Sequence, residues 1–175
     1  MNDSSILIIK DVEEPFKTYY DLSDAIRNSR NVKDKLAACE ASYEILPAFV
    51  RAWLKESEKL PDTILCRDVG VELYLRLGQW ANARVAIAKC AVAGAYPDSG
   101  LEALNYLERY RRTAEIALEF LRTNPGYLQK NIYRALPEAD KDCLKAFTRS
   151  SLLIRKEKYG NTNKLYVGDS NVLEN

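Results

Sequence analysis

Apolar residues recur three and four positions apart along most of the chain, a spacing that lays one stripe along a helix. Val69, Leu73 and Leu77 make one such stripe, and Trp80, Ala83, Ile87 and Ala91 a second. Leu101, Leu104 and Leu107 begin a third, and Ala114, Ala117, Leu118 and Leu121 a fourth. The breaks between stripes set the boundaries. One helix opens at Pro15, where a first-turn proline loses no hydrogen bond, and ends near 28–30. A second runs from Val32 to Leu46, and Pro47 separates it from AFVRAWLKESEKL, which stops before Pro61. Asp62 and Thr63 are expected to cap the next helix, and Gly78 to end it in the left-handed conformation. Asp98 or Ser99 caps the helix that starts near Leu101, and residues 112–123 form another, stopped by NPG. The pattern predicts antiparallel helices of ~11–16 residues on short turns. Residues 5–9, SILII, are β-branched and leucine-rich, which predicts a short strand or an apolar arm.

Beyond Pro125 the period changes. Ile132, Tyr133 and Leu136 mark a short helix ended by Pro137. A second begins at Pro137–Glu138 with Leu144 and Phe147 inward. LLIRKEKY and KLYV then alternate as strands do, around the turn Gly160-Asn161-Thr162-Asn163.

Two resemblances follow. Pro61, Pro97 and Pro125 close helix pairs at intervals of 36 and 28. VELYLRLGQWANARVAIAKCAVAGAYP resembles a tetratricopeptide repeat, whose nominal period is about 34. Tyr74, Gly78, Trp80, Ala83, Ile87 and Cys90 match that family's aromatic, glycine, aromatic, alanine, bulky and small positions, while Arg67, Gly70 and Val71 depart from it. The order helix, tight turn, helix, two-stranded wing over about 113–167 resembles a winged helix-turn-helix. The fold expected is therefore mainly α: tetratricopeptide-like antiparallel pairs over 10–124, then a winged-helix-like module with a small β-hairpin over 125–169. The 112–123 helix is open to either part.

Composition narrows the chemistry. The chain has no histidine, which removes most catalytic triads and the commonest zinc sites. Cys39, Cys66, Cys90 and Cys143 form no CxxC pair and sit in apolar helical patterns, so they are expected as buried thiols. There is no G-x-S-x-G elbow, Walker motif or dinucleotide fingerprint. Acidic pairs such as Glu13-Glu14 and Glu56/Glu58 fall in cap or exposed-face patterns. No catalytic residue, metal site or cofactor is assigned. No apolar run nears the roughly 20 residues that cross a bilayer, which points to a cytoplasmic protein with no membrane partner.

Charge is uneven. Residues 1–128 hold 17 basic and 19 acidic side chains, and residues 129–169 nine basic and five acidic. Lys141, Lys145 and Arg149 lie at i, i+4, i+8 on one helix face, followed by Arg155, Lys156, Lys158 and Lys164 on the wing. That layout sets cations against duplex DNA phosphates, although solvated helices carry such runs too. The tetratricopeptide resemblance implies a groove for a protein or peptide lined by Asp68, Glu72 and Arg76, for which plain solvation is the equal alternative. Two readings stay open: an adaptor or regulator with a nucleic-acid-binding winged helix, and a scaffold that binds protein only.

Overall fold

The computed structural model describes the backbone of residues 4–168 and the side chains of residues 15–168. The chain is mostly helical with a small antiparallel three-stranded sheet at its C-terminal end. It divides into two compact units, Met1–Leu73 with Ala83–Glu102, and Tyr74–Asn82 with Ala103–Asn175.

The first unit is built on two long helices, α1 (Ser4–Asn28) and α2 (Val32–Glu56). Each continues through a proline that the sequence placed at a boundary. Pro15 lies inside α1, and SILII is helical rather than a strand. β-branched residues favour strands only where a neighbouring strand or face receives them. Pro47 lies inside α2, which joins the two helices expected on either side of it. Interior proline forfeits a bond to the carbonyl four residues back and costs about 3 kcal/mol. Burial of Leu46, Phe49 and Val50 around Pro47 offsets that cost. Tyr19 stacks on Phe49 with ring centroids 3.8 Å apart, and Phe16 meets the same ring edge-on at 5.6 Å.

After α2 the chain makes a π-helical turn, Cys66–Gly70, that runs into α3 (Val71–Leu77). Its start is capped by neither Asp62 nor Thr63. Asp68 reaches back instead, its Oδ2 accepting from the Ile64 N–H at 3.1 Å. The wide turn brings Gly70 against α2, where the Tyr43 hydroxyl donates to the Cys66 carbonyl at 2.9 Å. A Cβ at Gly70 would collide with that hydroxyl and lie 3.3 Å from Cys39 Cβ. Arg67, with only 13% of its side chain exposed, ties the turn to its surroundings. It pairs with both Asp68 oxygens at 2.6 and 3.2 Å and donates to the carbonyls of Ala95 (2.8 Å) and Asp62 (3.1 Å). From α4 (Trp80–Val92), Ala83, Ala86, Ile87 and Cys90 are buried, and Lys89 reaches Glu40 and Glu44 at 3.2 and 3.4 Å. Asp98 caps α5 (Leu101–Thr123) as expected, accepting from the N–H groups of Gly100 and Glu102. Leu101, expected inward, is 61% exposed.

The second unit holds the end of α3 and the start of α4 and, from Ala103 on, the rest of α5 and the described residues after it. Residues 112–123 are not a separate helix but the end of 23-residue α5. No proline or glycine interrupts that stretch, and Arg111 pairs with Glu108 and Glu115 across the expected break. At 25, 25 and 23 residues, α1, α2 and α5 are far longer than the helices predicted. Then come β1 (Tyr127–Leu128), a 3₁₀ turn, α6 (Ile132–Ala135) and α7 (Lys141–Ser150). The hairpin of β2 (Ile154–Tyr159) and β3 (Thr162–Val167) closes the unit. The sheet order is β1-β3-β2, with Tyr127 opposite Leu165 and Ile154 opposite Val167. β1 was not foreseen, α7 begins three residues later than expected, and the turn is Gly160–Asn161 alone. Tyr110, Leu121, Ile132, Leu144, Phe147 and Leu165 fill the core. Gly78 ends α3 with φ +70° as predicted, and a Cβ there would lie 2.8 Å from Leu153.

Gly70→Ala is expected to lower unfolding free energy by about 1–3 kcal/mol through overpacking. In a Tyr43→Phe background, which lacks the colliding hydroxyl, Gly70→Ala should cost less than it does in the parent chain, as read by urea titrations of the double-mutant cycle. An equal cost in both backgrounds would show that the collision is not the cause.

Candidate functional site

The charged part of the second unit is organised around α7. Asp140 opens the helix, its Oδ1 accepting from the N–H groups of Asp142 (3.1 Å) and Cys143 (2.9 Å). The Cys143 N–H holds the Asp140 carboxyl below the usual carboxylate range, and the Arg109 guanidinium, 3.4 Å away, acts in the same direction. Cys143, Leu144, Phe147 and Thr148 form the buried face. Lys141, Lys145 and Arg149 share the opposite, exposed face, as the i, i+4, i+8 spacing predicts. None of the three has a carboxylate partner among the described residues.

The far end of α7 accounts for all four of its terminal carbonyls, the groups a helix cannot satisfy internally without help. The Phe147 carbonyl accepts from the Ser151 N–H at 3.0 Å, and the Thr148 carbonyl from Gln129 Nε2 at 3.2 Å. The Arg149 carbonyl accepts from Lys156 Nζ, and the Ser150 carbonyl from Arg76 Nε at 2.9 Å. Desolvation and, after it, the Arg76 charge hold the Lys156 ammonium below the ordinary lysine range. The Arg76 carbonyl in turn accepts from the Leu152 N–H at 2.8 Å, which locks the α7–β2 connection.

The wing divides its cations. The antiparallel register puts Arg155, opposite Tyr166, and Lys164, opposite Glu157, on one face of the hairpin. Lys156 and Lys158 lie on the other, with Ile154 and Leu165. Arg155 sits over the Tyr166 ring at 4.3 Å, and Lys164 over the Tyr159 ring at 4.4 Å. The seven cations singled out in the sequence thus fall into three groups: a row on α7 without carboxylate partners among the described residues, a tyrosine-stacked pair on one wing face, and two on the other.

The residues expected to line a groove are also divided. Asp68 caps its own turn and pairs with Arg67, Glu72 is exposed on α3, and Arg76 serves α7. The sequence did not mark Gln129, which has no motif around it, or the tyrosine partners of the wing, which only the strand register reveals. Nor did it mark the outer side of α4, where Val85 (54% exposed), Ala88 and Val92 (88%) form an apolar strip opposite the buried face.

All four cysteines are free and buried, as expected. Burial pushes the Cys39 thiol up to about 12, and burial followed by the Asp140 hydrogen bond pushes Cys143 up to about 12. Among the described residues no group of cysteine and carboxylate side chains is placed to hold a metal ion, and no helix is long and apolar enough to cross a membrane. Comparison with protein-family models, curated proteins and solved structures finds no match.

A thiol-specific aromatic disulfide reagent at pH 8 is expected to titrate no cysteine in the native protein and four in denaturant. Fast reaction of any native thiol would contradict the burial described.

Proposed function

We propose that this chain is a non-enzymatic adaptor whose tetratricopeptide-like helices dock a protein and whose winged-helix-like C-terminal unit meets nucleic acid. The observation that carries the reading is the row Lys141, Lys145 and Arg149, exposed and without carboxylate partners among the described residues. It stands in a unit whose sequence has 14 basic and nine acidic residues, against 12 and 16 in the other. The order α5-β1-α6-α7-β2-β3 supports the winged-helix resemblance, in which the second helix of the turn pair faces the nucleic acid. Phosphates met by such a row bind without sequence preference and with strong salt dependence. The exposed apolar strip Val85, Ala88 and Val92 on α4 supports the protein-docking half, since exposed apolar patches of this kind mark interaction surfaces.

The second reading, a scaffold that binds protein only, is favoured by the wing. Arg155 and Lys164 lie over tyrosine rings, and Lys156 caps α7. A gel-shift series with generic duplex DNA separates the two. The first reading expects binding that weakens with salt, and a Lys141→Gln/Lys145→Gln/Arg149→Gln variant should lower the salt slope by about 2–3. Absence of binding at low salt, with the fold intact by circular dichroism, would leave the scaffold reading.

A further inference from the structure

Two cations stand side by side at the end of α7, and no described acid balances them. Arg76 Nε and Lys156 Nζ donate to the consecutive carbonyls of Ser150 and Arg149, which fixes the two heads beside each other. Each uses only part of its donor capacity there. The four N–H groups on the Arg76 Nη atoms have no acceptor among the described residues, and Lys156 keeps two N–H groups. No described Asp or Glu pairs with either side chain, and neither is buried out of reach of solvent. The carbonyl end of a helix offsets about half a unit of positive charge, so among the described residues more than one charge stays uncompensated.

We propose that Arg76 and Lys156 form an oxyanion site that takes a phosphate group, the Arg76 Nη fork meeting two oxygens and Lys156 a third. Phosphate neutralises the repulsion between two cations that the fold holds together for a structural reason, so the ligand is recognised by donors already in place. The site uses the backbone carbonyl of Arg149 but no side chain of the exposed row on α7, and it goes beyond the function proposed above. The same chemistry is offered by free phosphate or a phosphomonoester and by a phosphodiester backbone.

The test follows the lysine side-chain NMR signals of the full chain during titration with inorganic phosphate, ionic strength being held constant with chloride. A saturable shift of the Lys156 signal is expected. It should weaken about tenfold or more in Arg76→Gln and Lys156→Gln variants, the latter followed by melting temperature, as loss of charge-assisted hydrogen bonds implies. The Lys141→Gln/Lys145→Gln/Arg149→Gln variant should keep the phosphate response, which makes failure of the nucleic-acid reading distinguishable from failure of this one. A second arm adds a 12-nucleotide single strand. Displacement of phosphate from Lys156 assigns the site to a phosphodiester backbone, and phosphate binding without displacement assigns it to free phosphate or a monoester. A Lys156 signal in the unmodified chain that responds to phosphate no more than to chloride overturns the proposal, whatever the variants do.

Discussion

The end of α7 is the constraint on which the C-terminal unit depends. A ten-residue helix leaves its last carbonyls exposed to whatever surrounds them, and buried or half-buried carbonyls without donors cost about 1–3 kcal/mol each. Here the donors come from four places: the following residue, the 3₁₀ turn after β1, strand β2 and the end of α3. One helix terminus thereby draws Ser151, Gln129, Lys156 and Arg76 together, and with them the sheet and the Gly78 turn. Two cations that look functional on paper are held there for a structural reason.

That division of labour shapes the functional reading. Basic side chains count toward a partner only through donors that the fold has not already claimed. Lys141, Lys145 and Arg149 meet that condition, whereas Arg155 and Lys164 rest on tyrosine rings. A reading drawn from the charge of residues 129–169 alone treats all of them alike. The strand register and the helix end distinguish them.

The sequence made local features legible where one residue type decides the outcome. Gly78 at a left-handed helix end, Asp98 as a cap, the inward Leu144 and Phe147, and the Gly160–Asn161 turn all follow from local chemistry. It misplaced boundaries wherever tertiary packing overrode propensity. Pro15 and Pro47 sit inside long helices, and in α2 the buried Phe49 and Val50 outweigh the lost hydrogen bond. The π turn at Cys66–Gly70 was not legible, because the Tyr43 hydroxyl that bonds its first carbonyl lies 23 residues earlier in the chain. For the same reason the site was only half legible. The α7 row is a matter of helical period, but the partners of Arg76 and Lys156 are about 74 and seven residues away.

The most direct measurement compares urea unfolding of Lys156→Met with that of Lys158→Met. The two lysines share a hairpin face and a charge, and only Lys156 reaches the α7 terminus. The expected result is a loss of about 1 kcal/mol for Lys156→Met and none beyond error for Lys158→Met. Equal stabilities for the two variants would contradict the claim that the helix end is closed by side chains gathered from the rest of the unit.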